Sequence, residues 1–253
     1  MTEIPSAAFD EAADHPWPLL FATVSGAHLY GFESSDSDVD VRGCHTLPFD
    51  RFAGLEPGPF TVERDGVRDG VEVDSVTHDA SKFFAMLLRP NGYVLEQVFS
   101  PLVVHDGGRL GELRDIAADC VTRNHAHHYL GFAASRRKLI AKSDGPPGSK
   151  PLLYLARVLM TGLHLMRTGE VEADLRRLLQ DRSMPAVDEL LAFKRAGVEK
   201  EAAPANLAAD VSAACDAMTR ELETARDRST LREHPAGRER LNDLLLEIRS
   251  QTT

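Results

Sequence analysis

Cysteine is scarce in this sequence, with three in 253 residues. Cys44, Cys120 and Cys215 are widely spaced and odd in number, which argues against both a disulfide framework and a zinc knuckle. We therefore expect three free thiols.

Long apolar runs are also missing, so no segment has the length of a membrane span. The first residues, Met1 to Pro5, lack the basic start and the apolar stretch of a signal peptide. These absences predict a cytoplasmic protein with no membrane partner. No Gly-x-Gly-x-x-Gly occurs either, which argues against a dinucleotide-binding fold.

Basic residues are outnumbered, with 29 Lys and Arg against 39 Asp and Glu and a net charge of −10. Such a chain as a whole repels a polynucleotide, because nonspecific affinity comes from neutralising phosphates. Any binding of nucleic acid must therefore be local, and the candidate patch runs from Arg136 to Arg157. The alternative is that these charges form the solvated face of an amphipathic helix.

What the sequence does contain is a glycine turn, Ser25-Gly26-Ala27, followed by ten residues and then by Asp38-Val39-Asp40-Val41. The polar and apolar alternation from Asp38 predicts a half-buried strand with both carboxylates on one face. Adjacent carboxylates repel, and a fold retains them most readily where a divalent cation neutralises both. Mg²⁺ suits such a site because it binds a few carboxylates together with phosphates. Gly26 would let backbone N–H groups approach an anion, at the start of a helix whose positive end faces it.

Simpler interpretations of the Asp-rich stretch are a solvated loop or a turn capped by Asp36 or Asp38. A calcium loop beginning at Asp36 fails, because its sixth residue would be Val41 instead of Gly and its twelfth Leu47 instead of Glu.

A second acidic segment follows at residues 70–77. Glu72 and Asp74 alternate with Val71 and Val73, so the two acids share one face of a predicted strand. A two-metal phosphoryl-transfer site needs a third carboxylate, and this segment supplies candidates. The alternative is the solvated outer face of an edge hairpin.

The pattern changes near Arg109, from strand-like segments with glycine turns to helical spacing. We predict an α+β fold with a catalytic domain at residues 1–108 and a helical domain at residues 109–253. The predicted strands are 19–24, 38–44, 60–63, 71–77 and 102–105, with turns at Asp65-Gly66 and Asp69-Gly70. The predicted helices are 80–89, one opened by Pro151 at its first position, 171–180, 187–195, 207–226 and 238–249, with a linker at 197–205.

The glycine turn and the Asp pair resemble the signature of the DNA polymerase β-like nucleotidyltransferase superfamily, in which Gly-Ser precedes Asp-x-Asp and a third carboxylate lies on a later strand. Residues 26–31 together with 37–43 are more closely similar to the bacterial RNA-repair-pathway DNA polymerase β family. Lys82-Phe83, Asn91-Gly92 and the run from Leu95-Glu96 to Ser100-Pro101 also match that family. The similarity covers about the first hundred residues well and 153–179 loosely.

One position departs from the family pattern, because Ala27 stands where the family has Ser. The lost hydroxyl would have contacted a phosphate, and Ser25 or the backbone amides are the substitutes. A degenerate nucleotide sensor is the corresponding alternative function.

The resemblance implies a minimal nucleotidyltransferase domain with a mixed β-sheet, followed by a helical bundle. It implies Mg²⁺-dependent transfer of a nucleoside monophosphate from a nucleoside triphosphate such as ATP, with Mn²⁺ as the alternative ion. The acceptor would be an RNA 3′ end, or else a protein or small molecule receiving AMP. The implied metal ligands and catalytic residues are Asp38, Asp40 and Asp74, with Glu72 as the fallback for Asp74. The implied nucleotide-binding residues are Ser25, Gly26, Ala27, His28, Arg42, Lys142 and Lys150; His28 could instead cap the short helix, and Lys142 and Lys150 would come from the helical domain.

Overall fold

A five-stranded mixed β-sheet forms the first half of the chain, in a computed structural model that describes residues 3–34, 37–142, 147–196 and 202–251. The strand order is β3-β4-β2-β1-β5, with β2 and β4 parallel and the other neighbours antiparallel. The strands are β1 (Leu19–Val24), β2 (Val39–His45), β3 (Thr61–Arg68), β4 (Val71–Asp79) and β5 (Val103–Asp106). With the helices described below, this confirms the predicted α+β class.

The burial of each strand explains its place in the sheet. Every residue of β1 is buried, which fits an inner strand covered on both faces. Most residues of β3 are exposed or half-buried, as an edge strand allows. In β4 the burial alternates, with Val73, Ser75 and Thr77 on one face. Asp74 and Glu72 therefore share the other face, as predicted.

The hairpin between β3 and β4 corrects one of the two predicted turns. Asp65 and Gly66 lie within β3, paired with Asp74 and Val73. The chain reverses only at Asp69 and Gly70, whose φ angles are 52° and 81°. Two consecutive positive φ values define the tight turn that matches the twist of a hairpin, and Asp-Gly is its preferred sequence. The predicted turn at Asp65-Gly66 is therefore wrong, and β3 is longer than predicted.

The chain divides into two compact units that are interleaved along the sequence. Unit 1 comprises residues 1–29, 38–121 and 234–253, and unit 2 comprises residues 30–37 and 122–233. The helices of unit 1 are α1 (Ser6–Ala13), α3 (Phe49–Ala53), α4 (Ala80–Leu87), α5 (Gly92–Phe99), α6 (Leu110–Ala118) and α12 (Arg238–Gln251), and α2 (Gly26–Tyr30) begins there. These interleaved units are not the two domains predicted from the sequence, 1–108 and 109–253. That division stays a prediction.

Unit 2 is built from helices. They are α7 (His125–Lys142), α8 (Ser149–Thr168), α9 (Leu175–Asp181), α10 (Pro185–Ala196) and α11 (Ala205–Arg228). Most residues of α8 are buried, and a Cβ on its Gly162 would lie 2.9 Å from side-chain atoms of both Tyr129 and Leu222. Glycine at this position lets α8 approach α7 and α11 closely.

Several helix boundaries differ from the predictions. The helix predicted at 171–180 begins only at Leu175, because the Asp174 side chain caps it by accepting from the Arg176 N–H. Pro151 is the third residue of α8, which begins at Ser149 after Gly148. Proline fits there because the N–H groups of the first helical turn lack partners within the helix. Helix α4 ends at Leu87, two residues short of the predicted end. Pro90 disfavours the helical conformation of the residue before it, Arg89, so the helix cannot continue to that point. Most of the predicted linker, residues 197–201, lies outside the described residues.

Cys44, Cys120 and Cys215 form no disulfide among the described residues, as predicted, and all three are buried. Over the ranges that the structure covers, no helix combines the length and the apolar character required to cross a bilayer.

A buried ion pair joins several elements of unit 1. Asp79 ends β4, is fully buried, and caps α4 by accepting a hydrogen bond from the Ser81 N–H at 3.0 Å. Its carboxylate also accepts from the Leu47 N–H at 3.1 Å and from the Arg249 guanidinium of α12 at 2.6 and 2.7 Å. Burial alone would raise the pKa of Asp79, but the hydrogen bonds from Arg249, Ser81 and Leu47 lower it below its usual value.

We predict that Arg249→Met lowers the free energy of unfolding by about 3–5 kcal/mol at pH 7, because it leaves the buried Asp79 carboxylate without its cation. Urea denaturation measures the change. The depressed pKa of Asp79 means that the ion pair stabilises the fold above the unfolded carboxyl pKa, about 3.9. The difference between wild type and variant should therefore shrink as the pH falls below about 4.

Arg238→Met is the matched control, because Arg238 is an exposed residue of the same helix. It should change stability by less than about 0.5 kcal/mol. A similarly small effect of Arg249→Met would show that the ion pair does not hold α12 to the sheet.

Candidate active site

The glycine turn lies directly against the Asp pair. The Ser25 N–H donates to the Asp40 carbonyl oxygen at 2.8 Å, and α2 begins at Gly26. Gly26 has a φ of 59°, and a Cβ added to it would lie 1.8 Å from Asp40 Oδ2. Both the backbone conformation and the space therefore require glycine. The group that approaches Gly26 closely in this structure is a carboxylate of the protein itself.

Asp40 and Asp74 are neighbours across the parallel pair β2 and β4, in direct register. The register starts at Val39 and Val73, so Glu72 precedes it and pairs with Val67 of β3 instead. Glu72 is exposed. Of the two acids on this face of β4, Asp74 is thus the one placed beside Asp40.

The Arg42 guanidinium joins these two carboxylates. Its Nη2 atom donates to Asp40 Oδ1 and to Asp74 Oδ2, each at 2.7 Å. Nη1 donates to the carbonyl oxygens of Val41 and Asp74 at 3.0 and 2.7 Å, and Nε donates to the Tyr93 hydroxyl at 3.2 Å. Arginine has five N–H donors, so every one has a partner within the protein.

The charges of the site act on one another strongly because the site is partly desolvated. Burial raises the pKa of Asp40; Arg42 opposes this shift, whereas the charges of Asp74 and Asp38 add to it. Burial would lower the pKa of Arg42, but Tyr93, Asp74 and Asp40 together raise it above its ordinary value. Arg42 therefore remains a cation throughout the physiological range.

The remaining predicted residues of unit 1 lie around this pair. Asp38 is exposed and immediately precedes β2, with its charge still acting on Asp40. Ala27 and His28 are buried, and the charge of His28 also acts on Asp40. Asp36, considered above as a turn cap, lies outside the described residues. The roles predicted for these side chains in metal and nucleotide binding stay predictions.

Lys142 and Lys150 belong to unit 2. Lys142 is the exposed last residue of α7, and Lys150 is half-buried in the first turn of α8. Of the loop between them, residues 143–146 lie outside the described residues. Their contact with a triphosphate also stays a prediction.

Sequence reasoning missed two features of the site. Arg42 is predicted to contact the nucleotide. In the structure its guanidinium binds Asp40 and Asp74. The alternation along β2 puts Arg42 on the same face as Asp40, so this contact was open to inference. Tyr93, in the first turn of α5 and 38% exposed, carried no comparable signal.

Two carboxylate oxygens converge on one cationic atom here, which is the donor arrangement that a divalent cation requires. Within residues 3–34, 37–142, 147–196 and 202–251, however, no group of three or more His, Cys, Asp or Glu side chains is gathered closely enough to hold a metal ion. Asp40 and Asp74 supply two carboxylates at this point, and metal binding with Asp38 as a further ligand stays a prediction.

We predict that Gly26→Ala destabilises the protein by about 1–3 kcal/mol more than Gly70→Ala does. Only the Cβ at position 26 would collide with the Asp40 side chain. Gly70 is the matched control, with a φ of 81° and no atom within 4 Å of an added Cβ. It should cost only the backbone strain, about 1–2 kcal/mol. Urea denaturation of both variants measures the difference.

The Asp40→Ala background tests the cause, since it removes the carboxylate that the new methyl group meets. A double-mutant cycle should then show the excess cost of Gly26→Ala largely disappearing. An excess that persisted in that background would assign it to something other than the Asp40 contact.

Known sequences were compared with the chain. An uncharacterized protein of Methanocaldococcus jannaschii is 31% identical over 157 residues, which are 61% of this chain and 63% of that protein. The match thus spans less than two thirds of that relative's length. The model of the family described as RNA repair pathway DNA polymerase beta matches residues 1–247. With nearly its whole length matched, the chain belongs to the RNA repair pathway DNA polymerase beta family.

Proposed function

We propose that this protein transfers a nucleoside monophosphate from a nucleoside triphosphate to the 3′ hydroxyl of an RNA, in a reaction that depends on Mg²⁺. The observation that carries the proposal is the convergence of Asp40 and Asp74 on a single cationic atom beside the glycine turn. The family supports the reaction class and the RNA acceptor.

Asp40 and Asp74, with Asp38, are the residues that would hold the metal. A divalent cation bound there would supply charge neutralisation for the triphosphate and lower the pKa of the acceptor hydroxyl. In the transfer, the hydroxyl oxygen forms a bond to the α-phosphorus, the bond from that phosphorus to the leaving oxygen breaks, and pyrophosphate departs. The protein's task is mainly to position groups and stabilise charge.

Arg42 keeps the two carboxylates close together before substrate arrives. Without a cation, two adjacent carboxylates repel, and one would be protonated or displaced. The guanidinium holds both at 2.7 Å, while Tyr93 and the carbonyl oxygens fix the guanidinium itself. The ligands are therefore preorganised, which lowers the cost of ordering them when substrate binds.

The exposure of the carboxylates is consistent with a site that exchanges partners. The Asp74 side chain is 45% exposed and that of Asp40 is 25% exposed, whereas Arg42 is 8% exposed. A ligand can thus reach both acids from solvent, while the cation that holds them stays buried.

We predict that Asp74→Asn and Asp40→Asn each lower the transfer rate by at least about 100-fold, because loss of a ligand costs several kcal/mol of transition-state stabilisation. Glu72→Gln is the matched control, since Glu72 lies on the same face of the same strand but outside the register with β2. It should stay within a few-fold of wild type. Purified protein is incubated with each α-labelled nucleoside triphosphate, Mg²⁺ and short RNA, with EDTA as the metal-free reference.

Label that passes to the RNA 3′ end in wild type, and is lost in Asp74→Asn and in EDTA, supports the proposal. Label on protein would instead indicate AMP transfer to a side chain, an acceptor compatible with the net charge of −10. Triphosphate binding without transfer to any acceptor would favour a nucleotide sensor. A large loss in Glu72→Gln with none in Asp74→Asn would reverse the assignment of the third carboxylate.

A further inference from the structure

A second polar cluster lies on the face of β4 that carries Asp74, at the other end of the strand. Alternation from Asp74 through Val76 brings His78 to this face. The Lys82 ammonium donates to the Thr61 hydroxyl, and Thr61 Oγ1 lies 3.1 Å from His78 Nδ1. We call Thr61, His78 and Lys82 the β4 end cluster. At about 3.3 Å per residue, it begins roughly 13 Å from Asp74 along the strand.

Lys82 lies in the first turn of a helix, where a positive charge destabilises the helix. It is the third residue of α4, and the N-terminus of a helix carries partial positive charge that repels a cation. No carboxylate oxygen lies within ion-pair distance of its ammonium in the part of the chain that the structure describes. Lys82 is exposed, so a ligand can reach it. A local preference violated without an ion-pair partner is typical of a binding residue.

The hydrogen bonds of the cluster determine which protons it presents. An ammonium can only donate, so the Thr61 hydroxyl accepts from Lys82 and donates its own proton to His78 Nδ1. The imidazole then carries its proton on Nε2. Burial and the charges of Lys82 and Arg42 lower the pKa of His78 to about 4, so the ring is neutral at pH 7. Among the described residues, Lys82 thus has two N–H donors without a protein acceptor, and His78 has one.

The neighbouring acids on this face belong to β3. Glu63 and Asp65 alternate with Thr61 along that strand, opposite Val76 and Asp74. Both are exposed, and neither pairs with Lys82 among the described residues. The local charge therefore changes sign along the sheet, from the carboxylates at Asp74 to the cation at Lys82.

We propose that the β4 end cluster binds a phosphate group, with Lys82 as its point charge and His78 Nε2–H as a neutral donor. The phosphate belongs either to the backbone of the RNA acceptor or to the nucleoside triphosphate, and this assignment rests on the proposed function. A phosphate bound here would set how substrate lies along the sheet relative to Asp40 and Asp74. Backbone contacts of this kind position a nucleic acid without reading its sequence.

The test measures binding alone, so it remains interpretable even if no nucleotidyl transfer occurs. A 5′-labelled 12-nucleotide RNA is titrated by fluorescence anisotropy at several salt concentrations without triphosphate, and ATP with Mg²⁺ is titrated by calorimetry. The variants are Lys82→Gln, Lys82→Arg and His78→Ala. Arg228→Gln is the control, because it removes one exposed cation elsewhere and changes the net charge equally.

For an RNA phosphate, Lys82→Gln should reduce the slope of log affinity against log salt by roughly 0.7, the value for one single-strand phosphate contact. His78→Ala should weaken RNA binding several-fold without changing the slope, and Lys82→Arg should retain most of both. For a triphosphate, the loss should instead appear only in the ATP titration. Thermal unfolding of each variant confirms that it is folded. If Lys82→Gln and His78→Ala behave like Arg228→Gln in both titrations, the phosphate site does not exist.

Discussion

The geometry of the candidate active site depends on the Arg42 guanidinium. It binds one carboxylate on each of two parallel strands, Asp40 on β2 and Asp74 on β4. Arg42 lies on the same strand face as Asp40, and the parallel register brings Asp74 alongside. With both carboxylates accepting from one nitrogen atom, the guanidinium offsets their mutual repulsion. Gly26 leaves room for the Asp40 carboxylate, and Tyr93 of α5 accepts from the one Arg42 donor that binds no atom of β2 or β4. Each of these residues is explained by its relation to Arg42.

Unit 1 contains a second Asp–Arg ion pair, and its carboxylate is buried instead of partly exposed. Asp79 and Arg249 are sealed from solvent, and the carboxylate is also held by two backbone N–H groups. Asp40 and Asp74 share their cation while remaining partly open to water. Because it is buried, the ion pair between Asp79 and Arg249 is a permanent structural contact. Access to solvent leaves the Asp40 and Asp74 carboxylates within reach of a ligand while Arg42 stays buried.

Local pattern predicted much of the sheet and part of the site. The alternation around Asp40 predicted its strand face, and residues 19–24 were correctly predicted to form a strand, β1. Pairing between strands could not be read from the sequence, because residues 46–70 separate β2 from β4 and no local signal sets their register. That register, rather than any property of Glu72 itself, leaves Glu72 outside the site. The turn at Asp65-Gly66 failed for a related reason: two Asp-Gly pairs were available, and cross-strand pairing selected the second.

The interleaving of the two units has a consequence for how the chain is made. Helix α12 carries the cation for Asp79, yet it leaves the ribosome only after all of residues 122–233. Chains emerge from the N-terminus and domains generally fold as units during synthesis. The Asp79 carboxylate at the end of β4 therefore lacks its partner until residues 122–233 have been synthesised. Residues 122–233 have the opportunity to fold first, so the sequence order of the two units need not be the order in which they form.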